Sequence, residues 1–157
     1  MIKVMFICHG NICRSPMAEY IFRYMIKKLS AENDFIVDSS ATSREEIGND
    51  LYPPAKRKLK EKGVPYSRHY AKQFTKHDYE EYDHIFIMER YNYNNLLRII
   101  GSDKDNKIHY LTEYSKLDRD IADPWYSGDF DLTYDQIYES LKCFLICLGY
   151  EKAHEIL

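Results

Sequence analysis

The chain has 157 residues, a formal net charge of −3, and 45% hydrophobic against 30% charged residues. This length predicts a single domain over residues 1–157 with a core of its own. The slight negative charge gives no reason to expect nucleic acid or an anionic membrane as a partner. No signal-peptide pattern and no membrane-spanning apolar stretch are visible, and the four cysteines do not resemble a disulfide framework. These features predict a cytoplasmic protein with free thiols.

The first two predicted elements flank a short polar stretch. Residues 4–7 form an uninterrupted β-rich apolar run, which is typical of a strand buried on both faces of a parallel sheet. From Ser15 onward, apolar residues recur at helical spacing, with Ser15 as the expected N-cap and Pro16 at the first helical position. The eight residues from the end of the strand to the start of the helix therefore form a strand-to-helix loop: Cys8, His9, Gly10, Asn11, Ile12, Cys13, Arg14 and Ser15.

This loop has the properties of an anion site. Its backbone N–H groups and the helix N-terminus converge on one spot, and Gly10 and Asn11 are the residue types that most readily adopt the positive φ such a loop needs. No Gly-Lys-Ser/Thr follows, so it is not the ATP-type phosphate loop. Cys8 at the floor is expected to be a thiolate, and Arg14 offers a planar fork to two phosphoryl oxygens. The alternative for Cys8 is a buried structural cysteine.

A second stretch that carries chemistry lies near residue 123. Asp-Pro is first of all a turn signal, but the proline stiffens the loop that carries Asp123. Trp125 and Tyr126 follow directly and could flank a flat phenyl ring. Asp123 is therefore the predicted general acid, with Asp120 a distant second.

The remaining pattern alternates strands and helices. Cys143 and Cys147 lie one turn apart in the last helix, but no histidine accompanies them and their neighbours are apolar, so core packing is predicted there rather than a metal site. No metal and no cofactor are expected. The predicted strands cover residues 35–41, 83–88 and 108–111, the predicted helices 55–62, 91–100 and 133–148, and a polar loop 112–130.

The octet CHGNICRS resembles the signature C-x-G-N-x-C-R-S of the low-molecular-weight protein tyrosine phosphatases, which follows the first strand of that family. The resemblance extends along nearly the whole chain. It implies a three-layer, doubly wound α/β fold, in which a central four-stranded parallel sheet has helices on both faces. It also implies hydrolysis of phosphotyrosine in proteins, with Cys8 as the nucleophile that forms a phosphocysteine, Arg14 as the phosphate clamp and Asp123 as general acid and then base.

The resemblance implies further roles as well. His69 would support the phosphate loop through Asn11, although an ordinary, partly buried histidine is an equally open interpretation. Glu45 would lie in one wall of the active-site mouth, where the family usually has an aromatic residue. Glu89 follows the third predicted strand, where the family usually has aspartate. Cys8 and Cys13 would form a reversible disulfide that protects the nucleophile, although a small loop-filling residue is an equally open interpretation of Cys13.

Three alternatives use similar residues. An arsenate reductase of the same fold needs further cysteines, and residues 80–100 contain none. A protein-arginine phosphatase resembles this loop closely, yet that branch has threonine at the position of Ile12. A phosphopeptide-binding module would not need an intact Cys8, Arg14 and Asp123. The expected partners are therefore tyrosine-phosphorylated proteins, and the chain is expected to be a monomer or weak dimer.

Overall fold

The computed structural model describes all 157 residues and contains one parallel sheet. All four predicted strands are present, and every neighbouring pair is parallel, in the spatial order β2-β1-β3-β4. The predicted α/β sheet is therefore confirmed. The strands are β1 (Ile2–Cys8), β2 (Phe35–Ala41), β3 (His84–Ile87) and β4 (Ile108–Tyr110).

The helices include the four predicted ones and three short ones that the apolar spacing does not indicate. The loop predicted over residues 112–130 is wrong in part, because 3₁₀ turns cover Leu111–Tyr114 and a one-turn helix follows Asp123. A further 3₁₀ turn covers Glu32–Asp34. The α-helices are α1 (Arg14–Lys28), α2 (Pro53–Glu61), α3 (Lys76–Glu81), α4 (Arg90–Ile100), α5 (Pro124–Ser127), α6 (Phe130–Cys147) and α7 (Ala153–Ile156).

Helices cover both faces of the sheet, because the strands alternate their side chains between two cores. Val4 and Phe6 of β1 belong to a cluster of 27 buried residues shared with α1, α2 and α6. Met5 and Ile7 belong to a cluster of nine buried residues on the other face, shared with α3 and α4. Every residue of the run 4–7 is fully buried, as the apolar run predicts. The three-layer architecture is confirmed.

The strand order places the end of β1 at a topological switch point. The chain leaves β1 and returns as β2 on one side, whereas β3 pairs with β1 on the other side. In doubly wound folds, ligands bind beyond the carboxyl ends of the strands at such a point. Cys8 is the last residue of β1, so the loop that follows it lies where this architecture favours a binding site.

Two expectations about helices are wrong. Helix α1 begins at Arg14, with Cys13 as its N-cap residue, so Ser15 lies inside the helix and does not cap it. The two cysteines of α6 do not pack in the core: Cys143 is half-buried and Cys147 is exposed. At about 100° of rotation per residue, Cys143 points away from the buried stripe that contains Leu141. None of the helices combines the length and the hydrophobicity that a membrane-spanning segment needs.

Candidate active site

The loop after β1 is shaped by two residues for different reasons. Asn11 has φ of +61° and is one of three non-glycine residues of the chain in the left-handed region. Gly10 does not have a positive φ, so that part of the expectation is wrong. A Cβ atom at Gly10 would instead lie 3.3 Å from the Glu46 side chain. Glycine at this position therefore allows the close approach of the Glu46 side chain from the loop that follows β2.

Cys8 lies at the floor of the loop, where its sulfur has two hydrogen-bonding partners. It is 4% exposed, and the backbone N–H of Asn11 lies 3.3 Å from Sγ. The hydroxyl Oγ of Ser15 lies 3.0 Å from the same sulfur. The Ser15 hydroxyl, freed from capping the helix, therefore contacts the predicted nucleophile.

Arg14 reaches the same pocket and is held by three acceptors from distant parts of the chain. Its guanidinium donates to the carbonyl of Ile121 at 2.9 Å, to Glu89 at 2.9 Å and to Asp123 at 3.4 Å. The side chain is 3% exposed. Burial opposes the charged form, but nearby Cys8 and the two carboxylates outweigh it and raise the pKa of Arg14. The cation is therefore permanent and fixed in place.

Glu89 occupies the carboxyl end of β3, as its place after the strand predicts. The longer side chain still reaches Arg14, at the 2.9 Å given above. Asn92 in the first turn of α4 holds this strand end, because its Oδ1 accepts from the N–H groups of both Met88 and Glu89 at 3.0 and 3.1 Å.

Asp123 has one carboxylate oxygen in a structural role and one facing the pocket. Oδ1 accepts from the N–H of Trp125 at 3.1 Å and caps α5, with Pro124 at the first helical position. Oδ2 lies 3.4 Å from Arg14. The carboxylate is 27% exposed, so it can meet a ligand that enters from solvent. Asp120, the weaker candidate, is paired with Arg119 at 2.9 Å and does not line the pocket.

These side chains enclose a cavity of about 300 Å³ at the carboxyl end of the sheet. Cys8 and Arg14 form its base, and Asp123 one side. The volume and the mixed lining suit a small aromatic or phosphoryl group. The lining residues are Cys8, His9, Gly10, Ile12, Cys13, Arg14, Glu45, Glu46, Asp123, Trp125 and Tyr126.

The mouth of the cavity has an acidic side and an aromatic side. Glu45 Oε2 lies 3.0 Å from His9 Nε2, so the charge expected in this wall is present and directed at the loop. On the other side, Trp125 is 52% exposed and its ring centroid lies 4.7 Å from that of Tyr52. Tyr126 is 86% exposed. The pair of aromatics after Asp123 therefore stands at the entrance.

His69, Asn11 and Ser15 support the loop from behind and do not line the cavity. His69 Nε2 lies 2.6 Å from the carbonyl oxygen of Asn11. Because a carbonyl only accepts, this nitrogen carries the proton and donates it. Asp50 Oδ1 accepts from the backbone N–H of His69 at 2.9 Å, which holds the histidine in place.

Cys13 shares the loop with Cys8 but differs in environment. Both cysteines are free and buried. Burial, with the neighbouring Cys8, raises the pKa of the Cys13 thiol. Cys13 therefore stays protonated at neutral pH.

Several contributors cannot be identified from local patterns. The carbonyl of Ile121, the hydroxyl of Ser39 and the carboxylate of Glu19 contact the loop residues or their partners, yet none belongs to a motif. The only available signal was the place of Ser39 at the polar carboxyl end of β2, where α/β ligands bind. No group of three or more His, Cys, Asp or Glu residues is arranged to hold a metal ion.

A thiol, an arginine and a carboxylic acid around one cavity at the carboxyl end of a parallel sheet define the class of cysteine-dependent phosphatases on an α/β fold. Comparison with known proteins agrees: the family model "Low molecular weight phosphotyrosine protein phosphatase" matches residues 3–154. The chain belongs to this family, and the predicted enzyme class, a cysteine-dependent protein-tyrosine phosphatase, is confirmed.

Individual relatives show how far the similarity extends. The chain is 39% identical to a low molecular weight phosphotyrosine protein phosphatase from Gallus gallus, over 97% of this chain and 96% of that protein. The crystal structure of YfkJ from Bacillus subtilis has a TM-score of 0.89 at 33% identity and covers 97% of both chains. That of a drosophila arginine phosphatase has a TM-score of 0.85 at 31% identity, over 94% of this chain and 98% of that one.

Proposed function

We propose that the chain hydrolyses phosphotyrosine in proteins through a phosphocysteine intermediate. The observation that carries the proposal is the placement of Cys8, Arg14 and Asp123 around one cavity, where Arg14 donates a hydrogen bond to Asp123 and a backbone N–H of the loop is directed at the Cys8 sulfur. The whole of residues 1–157 would act as one catalytic domain, without metal or cofactor.

In the first step, the Cys8 thiolate attacks phosphorus opposite the phenolic oxygen. The S–P bond forms while the P–O bond to the tyrosine breaks, and Asp123 gives its proton to the departing phenolate. Arg14 and the N–H groups of the loop hold the three equatorial oxygens, where charge develops in the transition state. His9, Gly10, Ile12 and Cys13 would line the phosphate-binding loop.

In the second step, Asp123 is a carboxylate and takes a proton from water. The water oxygen forms a bond to phosphorus, the S–P bond breaks, and the Cys8 thiolate is restored as phosphate leaves. Trp125 and Tyr126 would flank the phenyl ring at the entrance, and Glu45 would contact the peptide beside it. Free thiols are needed throughout, which favours action in the reducing cytoplasm. The chain would act as a monomer or weak dimer.

A second candidate, hydrolysis of phosphoarginine, is favoured by one observation, the similarity to a drosophila arginine phosphatase. Against it stands Ile12, which lines the cavity where the arginine-phosphatase branch has threonine. A third candidate is a phosphopeptide-binding module without turnover. One experiment separates the three.

Initial rates would be measured on matched phosphotyrosine, phosphoserine and phosphoarginine peptides, with a chelator present. We expect hydrolysis mainly of phosphotyrosine by wild type, none by Cys8→Ser, and wild-type rates for Cys147→Ser, whose thiol is exposed outside the cavity. Preference for phosphoarginine would overturn the specificity but not the mechanism. Peptide binding without turnover would favour the phosphopeptide-binding module. Near-normal rates for Cys8→Ser would contradict the phosphocysteine mechanism.

A further inference from the structure

A second groove adjoins the catalytic cavity, and Trp125 lines both. The groove has a volume of about 470 Å³, and three neighbouring aromatic rings form part of its lining. The ring centroids of Trp125 and Tyr52 are 4.7 Å apart, and those of Tyr52 and Phe130 are 6.2 Å apart. A peptide whose phosphotyrosine occupies the cavity therefore has the groove within reach of its neighbouring residues.

Arg57 gives this groove a positive charge without a partner in the chain. The residue is exposed on α2, lines the groove and makes no ion pair. Lys58 and Glu61 line the groove too, but they pair with each other, and Lys58 also pairs with Asp131. Residues 53–62 contain five Lys or Arg residues and one acidic residue, so positive charge is in excess on this segment. An unpaired guanidinium beside aromatic rings suits a carboxylate, and the methylene groups of a glutamate can pack on the rings.

The wall of the catalytic cavity away from this groove is negative. Glu45 and Glu46 line the cavity but not the groove, whereas Arg57 lines the groove but not the cavity. The Glu45 side chain is 69% exposed, and its Oε2 contacts His9 Nε2 at 3.0 Å. Glu46 Oε2 accepts from the neutral amide of Asn49 at 2.6 Å. The second oxygen of each carboxylate has no partner, so this wall can accept hydrogen bonds from a cation of the substrate.

A bound phosphopeptide would cross the mouth from one charge to the other. In an extended peptide, side chains alternate between two faces, so the residues two positions before and after the phosphotyrosine point the same way as its phenyl ring. Each of them lies about 7 Å from the phosphotyrosine along the strand. We propose that the mouth selects phosphotyrosine substrates by the order of their charges, with a basic side chain against Glu45 and an acidic side chain against Arg57 in the groove. The inference rests on the proposed function and names the class of substrate for that site.

Two peptides of identical composition test this selection. One contains Lys-Gly-pTyr-Gly-Glu and the other Glu-Gly-pTyr-Gly-Lys, with both ends capped so that no terminal charge remains. Their net charges are equal, so attraction to the protein as a whole does not distinguish them. We expect kcat/KM to differ about three- to tenfold, since two exposed charge pairs form in one order and not in the other. The difference should lie in KM, because these contacts are present equally before and during the chemical step.

Reversing both charges of the protein should reverse the preference. Glu45→Lys together with Arg57→Glu places the two charges the other way round and leaves the net charge unchanged. Both side chains are exposed, so the exchange does not disturb the core. Whichever peptide wild type prefers, the double variant should prefer the other, and salt at about 1 M should remove most of the preference in both. A preference that the double variant retains overturns the proposal.

The matched control exchanges two charges away from the mouth. Glu80→Lys together with Arg98→Glu makes the same change of composition on α3 and α4, and neither residue lines the cavity or the groove. This variant should keep the wild-type preference. Loss of the preference in the control would show that the overall field of the protein reads the charge order, which would overturn its assignment to Glu45 and Arg57.

The inference and the proposed function can fail separately. Equal kcat/KM values of wild type for the two peptides would overturn the inference and leave phosphotyrosine hydrolysis standing. If neither peptide is hydrolysed, the proposed function fails, and the dissociation constants of the same two peptides test the inference instead. A ratio of dissociation constants that the double variant does not invert would then overturn the inference, and absence of binding would overturn both.

Discussion

Asp123 combines two tasks in one carboxylate, and the structure allows them to be separated. Oδ1 caps α5 through the N–H of Trp125, and Oδ2 faces Arg14 in the cavity. An asparagine has a carbonyl oxygen that can still cap the helix, but it has no acidic proton to give. Substitution by asparagine should therefore change chemistry far more than structure.

We expect Asp123→Asn to lower kcat by about 10²–10⁴, the usual contribution of general acid catalysis. The loss should be largest for phenyl phosphate and smaller for 4-nitrophenyl phosphate, whose leaving group needs less protonation. Steady-state kinetics on both substrates would measure it. The control is Asp120→Asn, whose carboxylate pairs with Arg119 and should not matter. Equal losses on both substrates would count against Asp123 as the acid.

At the scale of single residues, the sequence predicts which residues form the site better than it predicts their conformation and contacts. The octet identifies the thiol and the arginine, because the residues around them also match the family signature, whereas the spacing of the two alone is weak evidence. It does not reveal that Gly10 serves close approach whereas Asn11 alone has positive φ. Nor does it reveal the true role of Ser15, because a serine before a helical run looks like a cap whether or not its hydroxyl has another partner.

At the scale of elements, apolar runs predict all four strands, since each is short and buried on at least one face. Helix α3 is missed because its six residues bury only Tyr79, which leaves no apolar stripe to detect. Its capping box of Thr75 and Asp78 was the available signal. Helix α5 is missed because a single turn depends on the Asp123 cap rather than on packing.

The segment that leads into α2 is anchored by one carboxylate. Asp50 accepts from the backbone N–H groups of Leu51 and His69 at 2.7 and 2.9 Å, and pairs with Lys56 and Arg68 at 2.5 and 3.3 Å. Partial burial opposes its charge, but the hydrogen bonds outweigh it and hold the pKa of Asp50 well below its usual range. The carboxylate therefore connects the start of α2 to the histidine behind the phosphate loop.

We expect Asp50→Asn to lower the free energy of unfolding by about 1–3 kcal/mol at pH 7, the value of hydrogen bonds to a charged group. Because the folded pKa lies below the unfolded value of about 3.9, the stabilisation is complete above that pH and is lost as the pH falls towards the folded pKa. Urea unfolding at pH 7 and pH 2.5 should show the difference between wild type and variant shrinking in acid.

The matched control for Asp50 is Asp131→Asn. Asp131 also pairs with a lysine, Lys58, but its carboxylate is 75% exposed, compared with 19% for Asp50. Water screens such a pair, so its loss should lower the free energy of unfolding much less than the loss of the Asp50 carboxylate does. Equal costs for the two variants would show that the anchoring hydrogen bonds of Asp50 add nothing.

At the scale of the whole molecule, the site is assembled from the carboxyl ends of strands that are distant in sequence. Cys8 is the last residue of β1 and Arg14 follows it, Glu45 follows β2, Glu89 follows β3, and Asp123 lies beyond β4. The topology predicts that such ends meet at one edge of the sheet. It cannot predict which carbonyl or carboxylate reaches Arg14, because that depends on loop paths that no local pattern encodes.

A site assembled from so many elements couples anion binding to folding. Inorganic phosphate at one hundred times its dissociation constant should stabilise the chain by about 2.7 kcal/mol, which raises Tm by about 5–10 °C for a protein of this size. Thermal unfolding with and without phosphate would measure it. The shift should be much smaller in Arg14→Lys, which keeps the charge and loses the fork. An unchanged Tm of wild type in saturating phosphate would contradict an anion site at this loop.

The hydrogen bonds of Asn11 also bear on the deamidation of this residue. Asparagine deamidates slowly in solution when the nitrogen of the following residue attacks the side-chain amide carbon, which leaves an aspartate behind. At position 11 that amide is held by Lys72, Ser15 and Ser39, and it cannot turn to meet such an attack without breaking these contacts. An aspartate at position 11 would place a carboxylate oxygen, which accepts hydrogen bonds, opposite the Ser15 and Ser39 hydroxyls, where the asparagine amide donates. Folding therefore protects Asn11 from deamidation, which can proceed once the chain unfolds.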